Sequence, residues 1–257
     1  TLLEKERSDL ISILNDLKVK VVELPFPPVY NDKHVKHDFV YIRDPFITNQ
    51  EGTAVILRMK ELNRRGESTM AGKLLDKMGL NIVHIPDKPG LYAEGGEFYF
   101  CPVENILFSG QCRNSVSGME AVAEALNVSE LVIIQSHSYH LDTYFTPILD
   151  QEGHVCALIL CMDIVSVKSS RDLREFAERK NIPIIDIPLE DAIGTAANPG
   201  SFAANALPLP GVLIGPNHFS DRSIDDRLKE MGVKRIVTPT TQFELSGGSV
   251  HCITNEI

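Results

Sequence analysis

The stretch EFYFCPVENILFSGQCRNSVSGMEAVAEALNVSELVII, residues 97–134, carries the pattern from which the fold is read. Its two short apolar runs, 97–101 and 105–109, flank a turn and read as a hairpin-like strand pair. Residues 115–127 follow with Met, Val, Ala and Leu at helical spacing, and 131–134 close the stretch as an apolar run of strand length. The order is strand, strand, helix, strand.

The same order recurs outward from this stretch. Upstream, the pair 39–42 with 53–58 precedes a helix at 67–79 and a strand at 81–85. Downstream, 143–149 with 155–162 precede a helix at 170–180 and a strand at 182–187; 201–207 with 211–215 precede a helix at 221–232 and a strand at 234–237. The chain opens on an amphipathic helix (Leu2, Leu3, Leu10, Ile11, Ile13, Leu14, Leu17), followed by an alternating strand at 19–24 halted by Pro25, Pro27 and Pro28. These make about five units of roughly 50 residues, alike in pattern and not in letter. The fold class expected is α/β, a closed fivefold ββαβ propeller with one axial pocket and a first unit lacking its leading strands. No Pro/Gly/Ser linker divides the chain, so residues 1–257 are expected to form a single domain.

Composition narrows the function. Hydrophobic residues at 43% and charged residues at 23% exclude wholesale disorder. A net charge of -10 argues against nucleic-acid and anionic-membrane partners, which require clustered Lys and Arg. No apolar run approaches the roughly 18 residues of a membrane span. Thr1-Leu2-Leu3-Glu4-Lys5 places charges where a signal peptide is apolar. With no initiator Met either, residues upstream are expected. The five cysteines form no CxxC and no zinc or disulfide spacing, which points to a reducing, cytoplasmic setting. The eight histidines form no HExxH or HxxEH; His34 and His37, three apart, have no recognisable third ligand. No metal and no cofactor are expected.

Four segments hold chemistry-bearing residues. In Gly247-Gly248-Ser249-Val250-His251-Cys252-Ile253-Thr254-Asn255, Cys252 reads either as a buried thiol in a last strand or as a nucleophile. In a strand, His251 and Cys252 point to opposite faces, so a base must come from elsewhere. Tyr139-His140-Leu141-Asp142-Thr143, if extended, aims His140 and Asp142 the same way about 6–7 Å apart, at a ligand or at solvent. His137 falls on the opposite parity. Asp44 in Tyr41-Ile42-Arg43-Asp44-Pro45-Phe46 ends a strand, and Glu94 and Glu97 flank Gly95-Gly96; each is also compatible with an ordinary turn.

Taken in order, RDPF, EGGE, HLD and GGSVHC span nearly the whole chain and resemble the guanidine-modifying superfamily. That superfamily holds arginine deiminases, dimethylarginine dimethylaminohydrolases, peptidylarginine deiminases and amidinotransferases. The resemblance implies the pentein-type propeller. It implies that Cys252 attacks the guanidinium carbon, that His140 protonates the departing amine and then activates water, and that Glu94 orients His140. By the same resemblance Asp44 and Asp142 grip guanidinium nitrogens, Arg64 and Arg113 meet the substrate carboxylate, and Phe202-Ala203-Ala204-Asn205 lines the pocket wall. The substrate-covering loop of compact relatives has no counterpart.

A planar cation with five N–H donors is best matched by carboxylates. Those carboxylates oppose thiolate formation, so Cys252 is expected to ionise mainly once substrate is bound. Dimethylarginine hydrolases typically carry Lys two residues after the histidine; Asp142 instead favours free arginine, while the compact length resembles those hydrolases. Citrulline and ammonia are the leading products. Arginine dihydrolysis to ornithine, amidinotransfer and dimethylarginine hydrolysis stay open, as does a non-catalytic binding propeller. The expected partner is a small guanidino molecule, with assembly into a homo-oligomer left open.

Overall fold

A computed structural model describes every residue except His34, Lys36 and Ala196. Of the two histidines three apart, His34 lies outside the described residues, and His37 stacks on Tyr30 at 4.3 Å.

The expected unit is built four times. After helix α1 (Leu2–Asp16), unit one holds β1 (Phe46–Thr48), β2 (Thr53–Ile56), α2 (Arg65–Lys77) and β3 (Asn81–His84). Unit two holds β4 (Phe98–Cys101), β5 (Ile106–Gly110), α3 (Val116–Ala125) and β6 (Glu130–Ile134). Unit three holds β7 (Phe145–Leu149), β8 (Val155–Leu160), α4 (Val167–Lys180) and β9 (Ile184–Asp186). Unit four holds β10 (Leu207–Leu209), β11 (Val212–Gly215), α5 (Ser223–Glu230) and β12 (Lys234–Val237), and a short α6 (Thr241–Glu244) follows.

In every sheet the middle strand pairs antiparallel with the strand before it and parallel with the strand after it. Parallel neighbours cannot be joined by a tight turn, so each unit needs its helix as a crossover. Local sequence starts and stops those helices. Ser115 and Ser166 accept the amides of Gly118 and Ser169 at the starts of α3 and α4, and Asn181 ends α4 in the left-handed conformation at φ 54°.

The first strands of all four units meet. A cavity of about 150 Å³ is lined by residues of β1, β4, β7 and β10, together with Arg43 and Glu256. These strands are sheet edges, which is why β7 and β10 tolerate Pro147 and Pro208. The strand ends therefore surround one axis, as expected of a propeller.

Three elements differ from expectation. Residues 19–24 form no strand; Val19 and Val21 instead pack with Leu10 and Leu14 against Leu207, Ile214 and Val250. The fifth unit is thus present as α1 and an extended segment. Residues 39–42 are turn, and the first strand begins at Phe46. Phe39 and Tyr41 are buried while Val40 is exposed, so the alternation reported burial without a ladder. Of 201–207, only Leu207 enters a strand; Phe202, at φ 54°, breaks the extended backbone before it.

The C-terminal segment ties unit one to the last unit. The Arg43 amide donates to Cys252 O at 3.1 Å, and the Arg43 guanidinium donates to Glu256 at 2.6 and 3.1 Å. Asn255 Nδ2 donates to the carbonyls of Ile42 and Phe46 at 3.1 and 3.0 Å. Burial alone would raise the Glu256 pKa, but Arg43 holds it down to about 2.

Removing Arg43 would strand a part-buried carboxylate. Arg43→Ala should lower the unfolding free energy by roughly 3 kcal/mol, read from urea denaturation; a loss below about 1 kcal/mol would show that the closure holds without this pair. The Glu256 contribution should be complete above its ordinary value of 4.5 and be lost as the pH falls towards about 2.

Candidate active site

Cys252 sits on a single helical turn, closed by Ile253 N donating to Ser249 O at 3.1 Å. This corrects the expected last strand. The turn follows Gly247 at φ 94°. Gly248 then lies so close to Tyr41 that an added Cβ would stand 2.3 Å from the ring, so the backbone here admits glycine alone.

Because the backbone is helical, His251 does not turn away from Cys252. His251 Nδ1 and Cys252 Sγ both meet Asp142 Oδ2, at 2.9 and 3.3 Å. The His251 ring stacks on Tyr99 at 4.3 Å, linking the site to the axial cavity that Tyr99 also lines. Burial, then the carboxylates of Asp142 and Asp44, push the Cys252 thiol well above its ordinary pKa.

His140 and Asp142 also depart from the extended expectation. His140 is extended, but it caps a 3-10 turn, Leu141–Thr143, closed by Thr143 N donating to His140 O. The two side chains consequently serve different partners. Asp142 meets His251 and Cys252; His140 Nε2 meets Glu94 Oε2 at 2.8 Å, and its Nδ1 lies 3.7 Å from Asp44 Oδ1. Burial disfavours the His140 charge, but Asp44 and the hydrogen bond to Glu94 outweigh it and raise the pKa to about 9. Burial likewise works against the Glu94 carboxylate, yet His140 and Arg113 bring it down to about 2.

Glu94 and Asp44 are held from the backbone as well. Glu94 Oε1 accepts Lys60 N at 2.8 Å, and Asp44 Oδ1 accepts Gly96 N at 3.1 Å. The glycine pair permits this approach: a Cβ on Gly96 would lie 2.5 Å from His140 Nδ1 and 2.9 Å from Asp44 Oδ1.

Arg64 and Arg113 both reach the cluster, each through a carboxylate. Arg64 donates to Asp44 Oδ2 at 2.9 Å and to both oxygens of Glu67. Arg113 meets both oxygens of Glu94 at 3.1 and 3.3 Å, reaches the part-exposed Glu61, and lies over the Tyr139 ring. The seven residues singled out from the sequence thus form two neighbouring groups, Arg64, Asp44, His140, Glu94 and Arg113 in one and Asp142 with Cys252 in the other, which feel each other through charge.

Three others, to which sequence reasoning gave no role in the chemistry, belong to the site. Glu97, fully buried, accepts the amides of Cys112, Arg113 and Leu141 and so fixes the turn that carries His140. His251 was set aside by strand parity. Asn205, expected only in the pocket wall, donates to Cys252 Sγ at 3.2 Å. Among the described residues, no group of three or more His, Cys, Asp or Glu is placed to hold a metal ion, and no helix is long and apolar enough to cross a membrane.

The tight fit at Gly96 predicts an outcome. Gly96→Ala should break the contact between His140 and Asp44 and bring the His140 pKa down from about 9 towards its ordinary 6.5, followed by NMR titration of the imidazole. In the unaltered protein, the stability gained from His140⁺ should be complete below 6.5 and be lost as the pH rises through about 9.

With this geometry in hand, comparison with known proteins is informative. The sequence profile of the family described as N,N dimethylarginine dimethylhydrolase, eukaryotic, matches residues 4–257. A curated relative, the bifunctional arginine dihydrolase/ornithine cyclodeaminase ArgZ of Synechocystis sp., is 25% identical over 204 residues, 78% of this chain. The chain spans only about a quarter of that relative's length, 26%.

Among solved structures, the N-terminal domain of cyanobacterial ArgZ bound to substrate matches with a TM-score of 0.78 and 22% identity, over 97% of this chain and 84% of that one. A complex of AgrE with L-arginine matches at 0.79 and 20%, over 98% and 34%. A dimethylarginine dimethylaminohydrolase adduct with 4-chloro-2-hydroxymethylpyridine matches at 0.72 and 19%, over 98% and 90%. At such identities these structures speak for the fold, which is that of the pentein propellers. The chain belongs to the N,N dimethylarginine dimethylhydrolase family, eukaryotic type, within the pentein guanidine-modifying superfamily.

Proposed function

We propose that residues 1–257 form one catalytic domain that hydrolyses the guanidinium C–N bond of free L-arginine to citrulline and ammonia. One observation carries the reading: Asp142 Oδ1 is buried with no hydrogen-bond partner among the described residues, while Oδ2 of the same carboxylate receives the Cys252 thiol. A buried carboxylate oxygen without a donor is costly. An N–H of a guanidinium held beside the sulfur satisfies it. A dimethylated nitrogen has no N–H to give, so the reading favours an unsubstituted arginine.

The chemistry follows from the charges. A guanidinium arriving between Asp44 and Asp142 offsets the two carboxylates that hold Cys252 protonated, and the thiol ionises, its proton passing to solvent. The thiolate attacks the guanidinium carbon; the C–S bond forms and the C=N π pair moves onto nitrogen. His140⁺, already protonated near neutral pH, gives its proton to the departing nitrogen, the C–N bond breaks, and ammonia leaves an S-alkylthiouronium. Neutral His140 then takes a proton from water. The hydroxide adds to the same carbon, the C–S bond breaks, and the thiolate returns as the ureido product loses its remaining proton. Glu94, low in pKa and bonded to His140 Nε2, favours the imidazolium before attack and orients the ring.

Arg113, at the rim with Glu61, is proposed for the substrate carboxylate. Arg64, buried against Asp44 and Glu67, is proposed to serve the same end of the substrate while steadying Asp44. Five free cysteines support a reducing, cytoplasmic setting.

The likeness to ArgZ supports a second reading, dihydrolysis to ornithine, carbon dioxide and two ammonia through the same thiouronium. The family description makes dimethylarginine the third substrate to try.

Product analysis separates these. Incubation with L-arginine should yield citrulline and one ammonia per turnover; ornithine with two would establish the dihydrolase, and turnover of dimethylarginine alone would overturn the arginine reading. Cys252→Ser should lower kcat at least about 1,000-fold while retaining arginine binding. The rate should fall as the pH rises past about 9, where His140 loses the proton it donates.

A further inference from the structure

Asn205 has a side chain whose orientation is dictated by the main chain around it. Its Oδ1 accepts the amides of His251 and Cys252 at 3.0 and 3.4 Å, and its Nδ2 donates to the carbonyl of Asp142 at 3.0 Å. Backbone amides only donate and backbone carbonyls only accept, so the amide cannot be flipped. The second N–H of Nδ2 therefore faces Cys252 Sγ, at 3.2 Å.

The residue is held for this task. Asn205 has no exposed surface, and neither have Ala203, Ala204 and Ala206 beside it. Asn205 N donates to Phe202 O at 2.8 Å, and Phe202 carries φ 54°, a left-handed conformation that costs an aromatic residue energy and that the surrounding packing must enforce.

We infer that Asn205 is a further catalytic residue, donating one N–H to the ionised Cys252 sulfur while its amide oxygen fixes the nucleophile's turn and its other N–H fixes the turn carrying Asp142. The neutral thiol has its own S–H, which it donates as a hydrogen bond to Asp142. The thiolate has none, and there the Asn205 N–H becomes a charge-assisted bond, stronger than its bond to the thiol. The bond weakens again once the sulfur is bonded to carbon, so Asn205 favours the sulfur when it attacks and when it departs. The inference rests on Cys252 being the nucleophile.

The test follows Cys252 ionisation by the pH dependence of iodoacetamide alkylation, resolved to Cys252 by mass spectrometry because four other thiols are present. Asn205→Ser and Asn205→Ala should raise the alkylation midpoint by about one pH unit or more, a tenfold loss of thiolate at fixed pH. They should lower kcat on arginine while KM stays within about threefold. Circular dichroism reports whether the variants fold.

A second readout needs no variant of Asn205. In protein made with isotope-labelled asparagine, the Asn205 side-chain amide proton should move downfield as Cys252 ionises, and should not move in Cys252→Ser. An unchanged midpoint in folded variants, or an amide resonance indifferent to Cys252 ionisation, overturns the assignment. If Cys252→Ser keeps full turnover, the nucleophile reading itself fails; if it is inactive while Asn205 variants alkylate as wild type, only the role of Asn205 fails.

Discussion

The site depends on bringing a C-terminal turn back to the first unit of the ring and holding it there. Arg43 makes that contact through both its amide and its guanidinium, to Cys252 O and to Glu256. Asn255 adds its amide to the carbonyls of residues 42 and 46. These bonds join residues more than 200 positions apart, so each closes a loop that takes in the intervening units. Asp44, next in sequence to Arg43, is thereby placed beside the thiol from the other end of the chain. The contacts that close the ring therefore also bring Asp44 and Cys252 within each other's electrostatic reach.

The second constraint is electrostatic. Asp44, Glu94 and Asp142 are buried together, an arrangement that would protonate them were they unpaired. Arg64, Arg113 and a protonated His140 match Asp44 and Glu94. Asp142 has instead a histidine whose own pKa is lowered, first by burial, and a thiol. This leaves Asp142 the carboxylate with a free acceptor, and it stands next to the sulfur. Burial and the carboxylates of Asp142 and Asp44 thus hold the Cys252 thiol neutral, and under the proposed function the same negative charge would attract a guanidinium.

The propeller pattern was legible because each unit repeats one local logic: a short apolar pair, an amphipathic helix (started by a Ser cap in α3 and α4), and a strand. It failed where alternation arose without a ladder, at 39–42 and 19–24, since side-chain burial and backbone pairing are separate facts that share a period of two. The seven site residues were legible because Gly, Asp-Pro and the C-terminal Cys carry local signatures. The roles of Glu97 and Asn205 were not, for their partners are largely backbone groups of loops that folding brings to them, and backbone groups leave no mark in a sequence.

By itself the sequence determined the kind of unit and its repetition, the acidic balance, and the identity of the charged groups that gather around Cys252 and His140. Those follow from periodicity and residue chemistry, which act locally. Tertiary structure decided the pairing: that His140 turns to Glu94 and Asp142 to Cys252, that His251 joins the site, and that the Asn205 amide faces the sulfur. A single turn at Leu141–Thr143 and another at Cys252 set those directions. Both turns are imposed by packing between distant segments, which no local pattern encodes.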